Sequence, residues 1–251
     1  MFGTVVCGAA MFLRAQSAPP AGAPSPDEII RKFAAKESEF RKARENYTYR
    51  QVVKMEEVDP PGGTWEITSD IIFGPNKQRM EKVVYAPVVS LVHITLDPQD
   101  EQDLISVQPF VLTSEDVGKY DVEYIGKQNV DEIPCYQFSV KPKKMVKNER
   151  YFEGTIWVDD RDFQIVKTYG KGVGIASKEH QFPMFETYRE QIDGKYWFPT
   201  YTHADDTLRF PTMSQRIRMV VRYQNYKRFG AEESITYGDT VPDSTSAPAK
   251  K

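Results

Sequence analysis

From Tyr47 onward the chain reads as one short strand after another, with turn signals every 8–12 residues and no second long helical stretch. Strands at that spacing pair with their sequence neighbours as antiparallel meanders, because a parallel βαβ unit needs a crossover helix between its strands. Strands are expected at 47–58, 64–73, 77–85, 88–96, 105–112, 119–127, 133–141, 150–158, 163–171, 183–192, 196–203 and 216–229. In 151–171, YFEGTIWVDDRDFQIVKTYGK, two alternating runs flank the acidic turn Asp159-Asp160-Arg161-Asp162. Phe152, Ile156 and Val158 share one face there, with Tyr151 and Trp157 on the other. The last strand sets Ile217, Met219, Val221 and Tyr223 against Arg216, Arg218 and Arg222.

A sheet of about ten or eleven strands curls, because strand twist accumulates, and its concave apolar face must be filled. The filler in view is one helix. Ser25 as N-cap, Pro26 at N1 and Glu28 at N3 form a helix start, and Ile29, Ile30, Phe33, Phe40 and Ala43 follow at helical spacing over roughly 26–46. The fold class is therefore mainly β (α+β). It is a large curled antiparallel sheet, or unclosed β-barrel, with one long N-terminal amphipathic helix in or over its concave face. One helix covers little of such a face, so part of it is left for loops or for a ligand. The expected cavity lining is Trp65, Ile67, Ile71, Phe73, Phe138, Val140, Phe152, Ile156 and Val158, with Ile29, Ile30, Phe33 and Phe40 as a plug or lid. The plain alternative is that these residues pack together as an ordinary core.

Met1–Leu13 is apolar and small, and AQSAPPAGAPS follows. This suits an exported leader cut after Ala15 or Ser17, although the basic n-region is missing and the true start stays open. The run is too short to span a bilayer. The expected organisation is a leader at 1–17, a linker at 18–25, the sheet domain at 26–238 and a disordered tail at 239–251. With the leader removed, Cys135 has no cysteine to pair with and reads as a structural thiol.

The net charge of −3 gives no reason to expect nucleic acid. No nucleophile elbow, phosphate loop, dinucleotide fingerprint, zinc-protease motif or Cys-x-x-Cys is present. His180, His203, Asp205 and Asp206 are the residues an enzymatic or metal reading would use, but they lack tight ligand spacing, and neither metal nor cofactor is expected. Lys141, Lys143, Lys144, Lys147 and Arg150 form a basic loop suited to a lipid headgroup or an acidic partner, or to a solvated hairpin tip.

Three stretches carry a resemblance. Phe73-Gly74-Pro75-Asn76-Lys77-Gln78-Arg79 is similar to an Arg-Pro-Asn hairpin, Ile133–Lys144 to a strand ending in Pro-Lys, and Tyr151–Lys167 to a Trp-Val-Asp hairpin. In order and spacing the chain resembles the periplasmic lipoprotein-carrier superfamily: LolA, LolB, RseB/MucB and lipoprotein-sorting relatives. The resemblance implies an unclosed barrel whose cavity takes acyl chains. It also implies a non-enzymatic, monomeric, periplasmic carrier of lipid or acylated lipoprotein, with an inner- or outer-membrane protein as a further partner. The alternative within the family is an RseB-like regulator that grips a membrane-anchored protein. Gly74 stands where the carrier has an arginine tied to opening its cavity, so the energy-coupled relay is not part of the expectation.

Overall fold

The computed structural model describes residues 24–74, 76–96, 98, 111–146, 149–174 and 181–229. The expected leader, Lys147, His180 and the tail lie outside the described residues.

Helix α1 spans Pro26–Arg44. Ser25 Oγ accepts the Glu28 N–H at 3.2 Å, and Asp27 and Glu28 at the start with Arg41, Lys42 and Arg44 at the end complement the helix dipole. Ile29, Phe33, Ala34, Glu37 and Phe40 are its buried stripe.

Among the described residues ten strands follow: β1 (Tyr47–Glu57), β2 (Thr64–Phe73), β3 (Arg79–Tyr85), β4 (Tyr120–Val130), β5 (Ile133–Pro142), β6 (Tyr151–Asp159), β7 (Ile165–Val173), β8 (Phe185–Gln191), β9 (Trp197–Arg209) and β10 (Ser214–Arg228). They form one antiparallel sheet in the order β3-β2-β1-β10-β9-β8-β7-β6-β5-β4. The sheet is not closed, and β3 and β4 are its edges. β4 to β10 is an unbroken meander, while β1 pairs with β10, Tyr47 opposite Arg228.

Most strands fall where the alternation puts them. On β10, Gln215, Ile217, Met219, Val221 and Tyr223 are buried while Arg216 and Arg222 are exposed. β6 is buried on both faces: Phe152, Ile156 and Val158 face α1, and Trp157 packs with Cys135 and Val166 behind the sheet. Tyr151 departs from the expected alternation. At the start of β6 its ring meets Tyr120 at 6.2 Å on the helix side, and its hydroxyl donates to Glu149 at 2.7 Å.

The expected strand at 88–96 is not one; residues 86–96 form a strap without regular structure. The donors a neighbouring strand would engage go elsewhere. Ser90 N–H donates to the Thr64 carbonyl at 3.0 Å, and the N–H groups of Val92, His93 and Ile94 donate to the Glu57 carboxylate. Gly63 is required beneath the strap, because a Cβ there would lie 1.8 Å from the Ser90 carbonyl oxygen. The expected strand at 105–112 falls mostly outside the described residues, and 111–112 are not strand.

Candidate functional site

The concave face divides into two apolar halves under different covers. Under α1 lie Tyr136, Phe138, Val140, Phe152, Ile156, Val158 and Ile165, packed with Ile29, Phe33, Ala34 and Leu112. Phe33 meets Phe138 edge-on, centroids 5.7 Å apart. Further along the helix, Phe40 packs edge-on against Phe198 at 5.2 Å, beside Tyr47. Polar contacts also fix this cover: Ser114 N–H donates to Ser38 Oγ at 3.0 Å, and Arg41 bonds Asp116 at 3.4 Å.

The second half is built by Val53, Met55, Trp65, Leu208, Ile217, Val221 and Tyr223. Leu91, Ile94 and Leu96 of the strap and Phe210 pack against it, each only partly buried. One carboxylate clasps the strap. Glu57, at the end of β1, is 4% exposed; its Oε2 accepts N–H bonds from Gly63 at 3.0 Å and Val92 at 2.8 Å, and its Oε1 from His93 and Ile94, both at 2.7 Å. Burial pushes this carboxyl up, but the backbone donors outweigh burial and hold it below the usual carboxylate range.

Polar groups on the strands between the halves form a belt. Glu37 of α1 and Arg189 of β8 are 1% and 3% exposed and make a bidentate pair at 2.8 and 3.2 Å, with the guanidinium 5.2 Å from the centroid of the Phe40 ring. Thr168, Thr187 and Thr202 stand in register on β7, β8 and β9, all wholly buried. The Thr187 and Thr202 hydroxyls are 2.8 Å apart, while the Thr168 hydroxyl has no hydrogen-bond partner among the described residues. Tyr223, 3.4 Å from Thr202 Oγ1, has its phenol pushed up by burial.

The residues expected to line a cavity thus share one side of the sheet but not one cluster. Phe138, Val140, Phe152, Ile156 and Val158 lie under the helix, and Trp65 and Ile67 lie under the strap. Ile71 is wholly buried, and Phe73 is half-buried at the end of β2. Of the plug residues, Ile29, Ile30 and Phe33 meet the first half while Phe40 stands apart with Phe198. Glu37, Arg189 and Glu57 escaped the sequence reading. Glu37 carries the one available signal, since it falls between Phe33 and Phe40 at helical spacing.

The residues of the enzymatic reading do not converge. Asp205 pairs with Arg216 at 2.8 Å, and His203 stacks on Tyr201. Asp206, next to Asp205 in the strand and so on the opposite face, accepts the Met184 N–H at 2.9 Å. Among the described residues no group of three or more His, Cys, Asp or Glu could hold a metal ion. Cys135 is wholly buried, and burial pushes its thiol up to about 12. In the basic loop, Lys143 Nζ donates to the Gly118 carbonyl at 3.1 Å and Arg150 covers the Phe182 ring at 4.3 Å, while Met145 and Val146 are exposed.

Solved structures match over most of both chains. A DUF1329 family protein from Desulfovibrio piger is 16% identical, with a TM-score of 0.46 over 83% of this chain and 95% of its own. A LolA superfamily protein from Nitrosomonas europaea is 12% identical, with a TM-score of 0.35 over 77% and 93%. The Pseudomonas aeruginosa MucA/MucB complex also matches, at 12% identity and a TM-score of 0.24 over 77% and 99%. No protein-family profile and no curated protein matches the chain. Among the described residues no helix is long and apolar enough to cross a membrane.

Proposed function

We propose that the concave face is a binding cavity for an acyl chain, presented by a lipid or an acylated polypeptide, and that the protein carries or senses that ligand in the cell envelope without covalent chemistry. The observation that carries this reading is the unequal cover of one apolar face. A helix interlocks with half of it, while an irregular strap of partly buried Leu91, Ile94 and Leu96 covers the rest, tied at Ser90 to Thr64 and at residues 92–94 to one carboxylate. Displacing the strap bares an apolar floor from Trp65 to Val221, and an acyl chain laid there gains roughly 25 cal/mol for each Å² it removes from water. Trp65, Ile67, Ile71 and Phe73 line the entrance half in this reading. Phe138, Val140, Phe152, Ile156 and Val158 form the floor beneath the helix.

The β5–β6 loop fits the same role from outside. It offers exposed Met145 and Val146 between Lys143, Lys144 and Arg150, a pattern suited to an anionic headgroup or an acidic partner surface. Native mass spectrometry of the protein purified from an envelope fraction tests the proposal, together with uptake of a fluorescent fatty acid. Lipid adducts and saturable uptake are expected. A bare mass with no uptake sinks the carrier reading, and a stoichiometric protein partner without lipid replaces it with the regulator.

A further inference from the structure

At the end of the sheet where α1 stops, an open cleft of about 360 Å³ is lined from five separate segments. Four cations enter it from four of them: Lys42 from the helix, Lys77 from the β2–β3 turn, Lys195 from the β8–β9 turn and Arg228 from the end of β10. Among the described residues Glu39 is the one carboxylate in the lining, in a chain whose acidic residues outnumber its basic ones, 36 to 33.

The carboxylates at hand are already engaged. Glu39 pairs with Lys36 at 3.1 Å and Glu45 with Lys77 at 3.1 Å. Asp193 accepts the Tyr47 hydroxyl and the N–H groups of Lys195 and Tyr196 at 3.2 and 3.3 Å. Lys42, Lys195 and Arg228 have no carboxylate partner among the described residues. The C-terminal carbonyls of α1 would ordinarily repel an anion, but they are capped. Asn46 Nδ2 donates to the Lys42 and Ala43 oxygens at 3.4 and 3.3 Å, and the Asn46 N–H donates to Ala43 at 2.9 Å.

We propose that this cleft binds a phosphate group, either on a small soluble ester or as a phospholipid headgroup. A phosphate monoester near neutral pH carries close to two charges, which suits three uncompensated cations better than a carboxylate does, and a phosphodiester headgroup carries one charge shared by two oxygens. Lysines meet it as point charges and Arg228 as a fork, while Ala43 and the Tyr196 ring offer an apolar wall to its organic part. The cleft lies at the Tyr47 end of β1 and the strap at the Glu57 end, so this site stands whether or not the concave face takes a ligand.

The test titrates the full chain with glycerol phosphate by calorimetry and measures co-sedimentation with phosphatidylglycerol or phosphatidylcholine vesicles. The triple variant Lys42→Gln/Lys195→Gln/Arg228→Gln is run beside it. All three side chains are exposed, and its melting curve reports whether folding is intact. Should the triple variant unfold, Lys195→Gln alone at its turn gives the same reading. Each lost charge is expected to weaken binding about fivefold, with a steep fall as salt rises. Glycerol phosphate binding that the variant loses assigns a soluble ester. Binding confined to phosphatidylglycerol vesicles, and lost in the variant, assigns the headgroup. No binding to either, or binding that survives the triple substitution, overturns the proposal.

Discussion

The two halves of the concave face bury comparable side chains but are held by different means. The helix-covered half is locked by interdigitated aromatics, a bidentate ion pair buried to 1% and 3% exposure and contacts with residues 114–116. The strap-covered half rests on partly buried aliphatics, the Ser90–Thr64 hydrogen bonds and one carboxylate that takes three successive N–H groups of the strap. Apolar packing is non-directional and adds up over many atoms, whereas a clasp is one group whose loss releases everything tied to it. One side of the face is therefore built as a core, and the other is held by fewer and more separable contacts.

The comparison breaks most readily at its firmest point. Arg189→Met removes the bidentate partner of the buried Glu37 carboxyl, and is expected to cost about 3–5 kcal/mol in denaturant unfolding. Adding Glu37→Leu should recover most of that loss. If it does not, the pair contributes more than mutual neutralisation.

Phe33→Ala, in the same half, is expected to cost about 3–5 kcal/mol if the helix side is close-packed. A markedly smaller loss together with increased fatty-acid uptake would make the helix as separable as the strap and erase the contrast.

Glu57→Gln is expected to cost about 1.5–3 kcal/mol, since a charge-assisted acceptor for four N–H groups is weakened. Amide exchange should accelerate at Val92, His93 and Ile94 and leave β5 and β6 unchanged. Acid should act alike. The folded carboxyl lies below its unfolded value, so its contribution is complete above the unfolded pKa and is lost as pH falls through the folded one. Protection of the strap amides, corrected for the intrinsic pH dependence of exchange, should therefore fall in the unaltered protein on acidification below about pH 4, the ordinary carboxylate range, and stay flat with pH in the variant. Exchange spreading uniformly through the sheet would show that the strap is no separate unit.

The smallest effect is expected at the β5–β6 tip. Met145→Ser should move stability by no more than about 0.5 kcal/mol, because the side chain is 58% exposed, while lowering retention on anionic vesicles. Unchanged retention would remove the loop from the binding surface.

What was legible in the sequence follows from the same distinction. Period-two alternation is local, so β1, β2, β5, β6 and β10 fall within a residue or two of where the pattern puts them, and Ser25-Pro26-Asp27-Glu28 places the start of α1. Residues 88–96 depart from the expectation because VVSLVHITL has the composition of a buried strand, while the distant carboxylate of Glu57 takes the N–H groups of Val92, His93 and Ile94. Arg189 looked like any polar strand residue until Glu37, 152 positions earlier in the chain, came to lie against it. Alternation sets the residues expected to line a cavity on one face, but their division between two covers depends on where a helix and a strap come to rest, which no local period encodes.

The pairing of β1 with β10 bears on the order in which the molecule can be assembled. Among the described residues, β1, β2 and β3 join the rest of the sheet only through β10, so a chain emerging from its N-terminus holds three strands whose link to the other seven waits for residues 214–228. Tyr47 must find Arg228 across nearly the whole domain, the kind of long-range closure that slows folding to milliseconds or longer. The floor beneath the strap, shared by β1, β2, β9 and β10, is thus the last to be completed. A polypeptide so arranged stays unfinished during synthesis and remains threadable until its final strand is released.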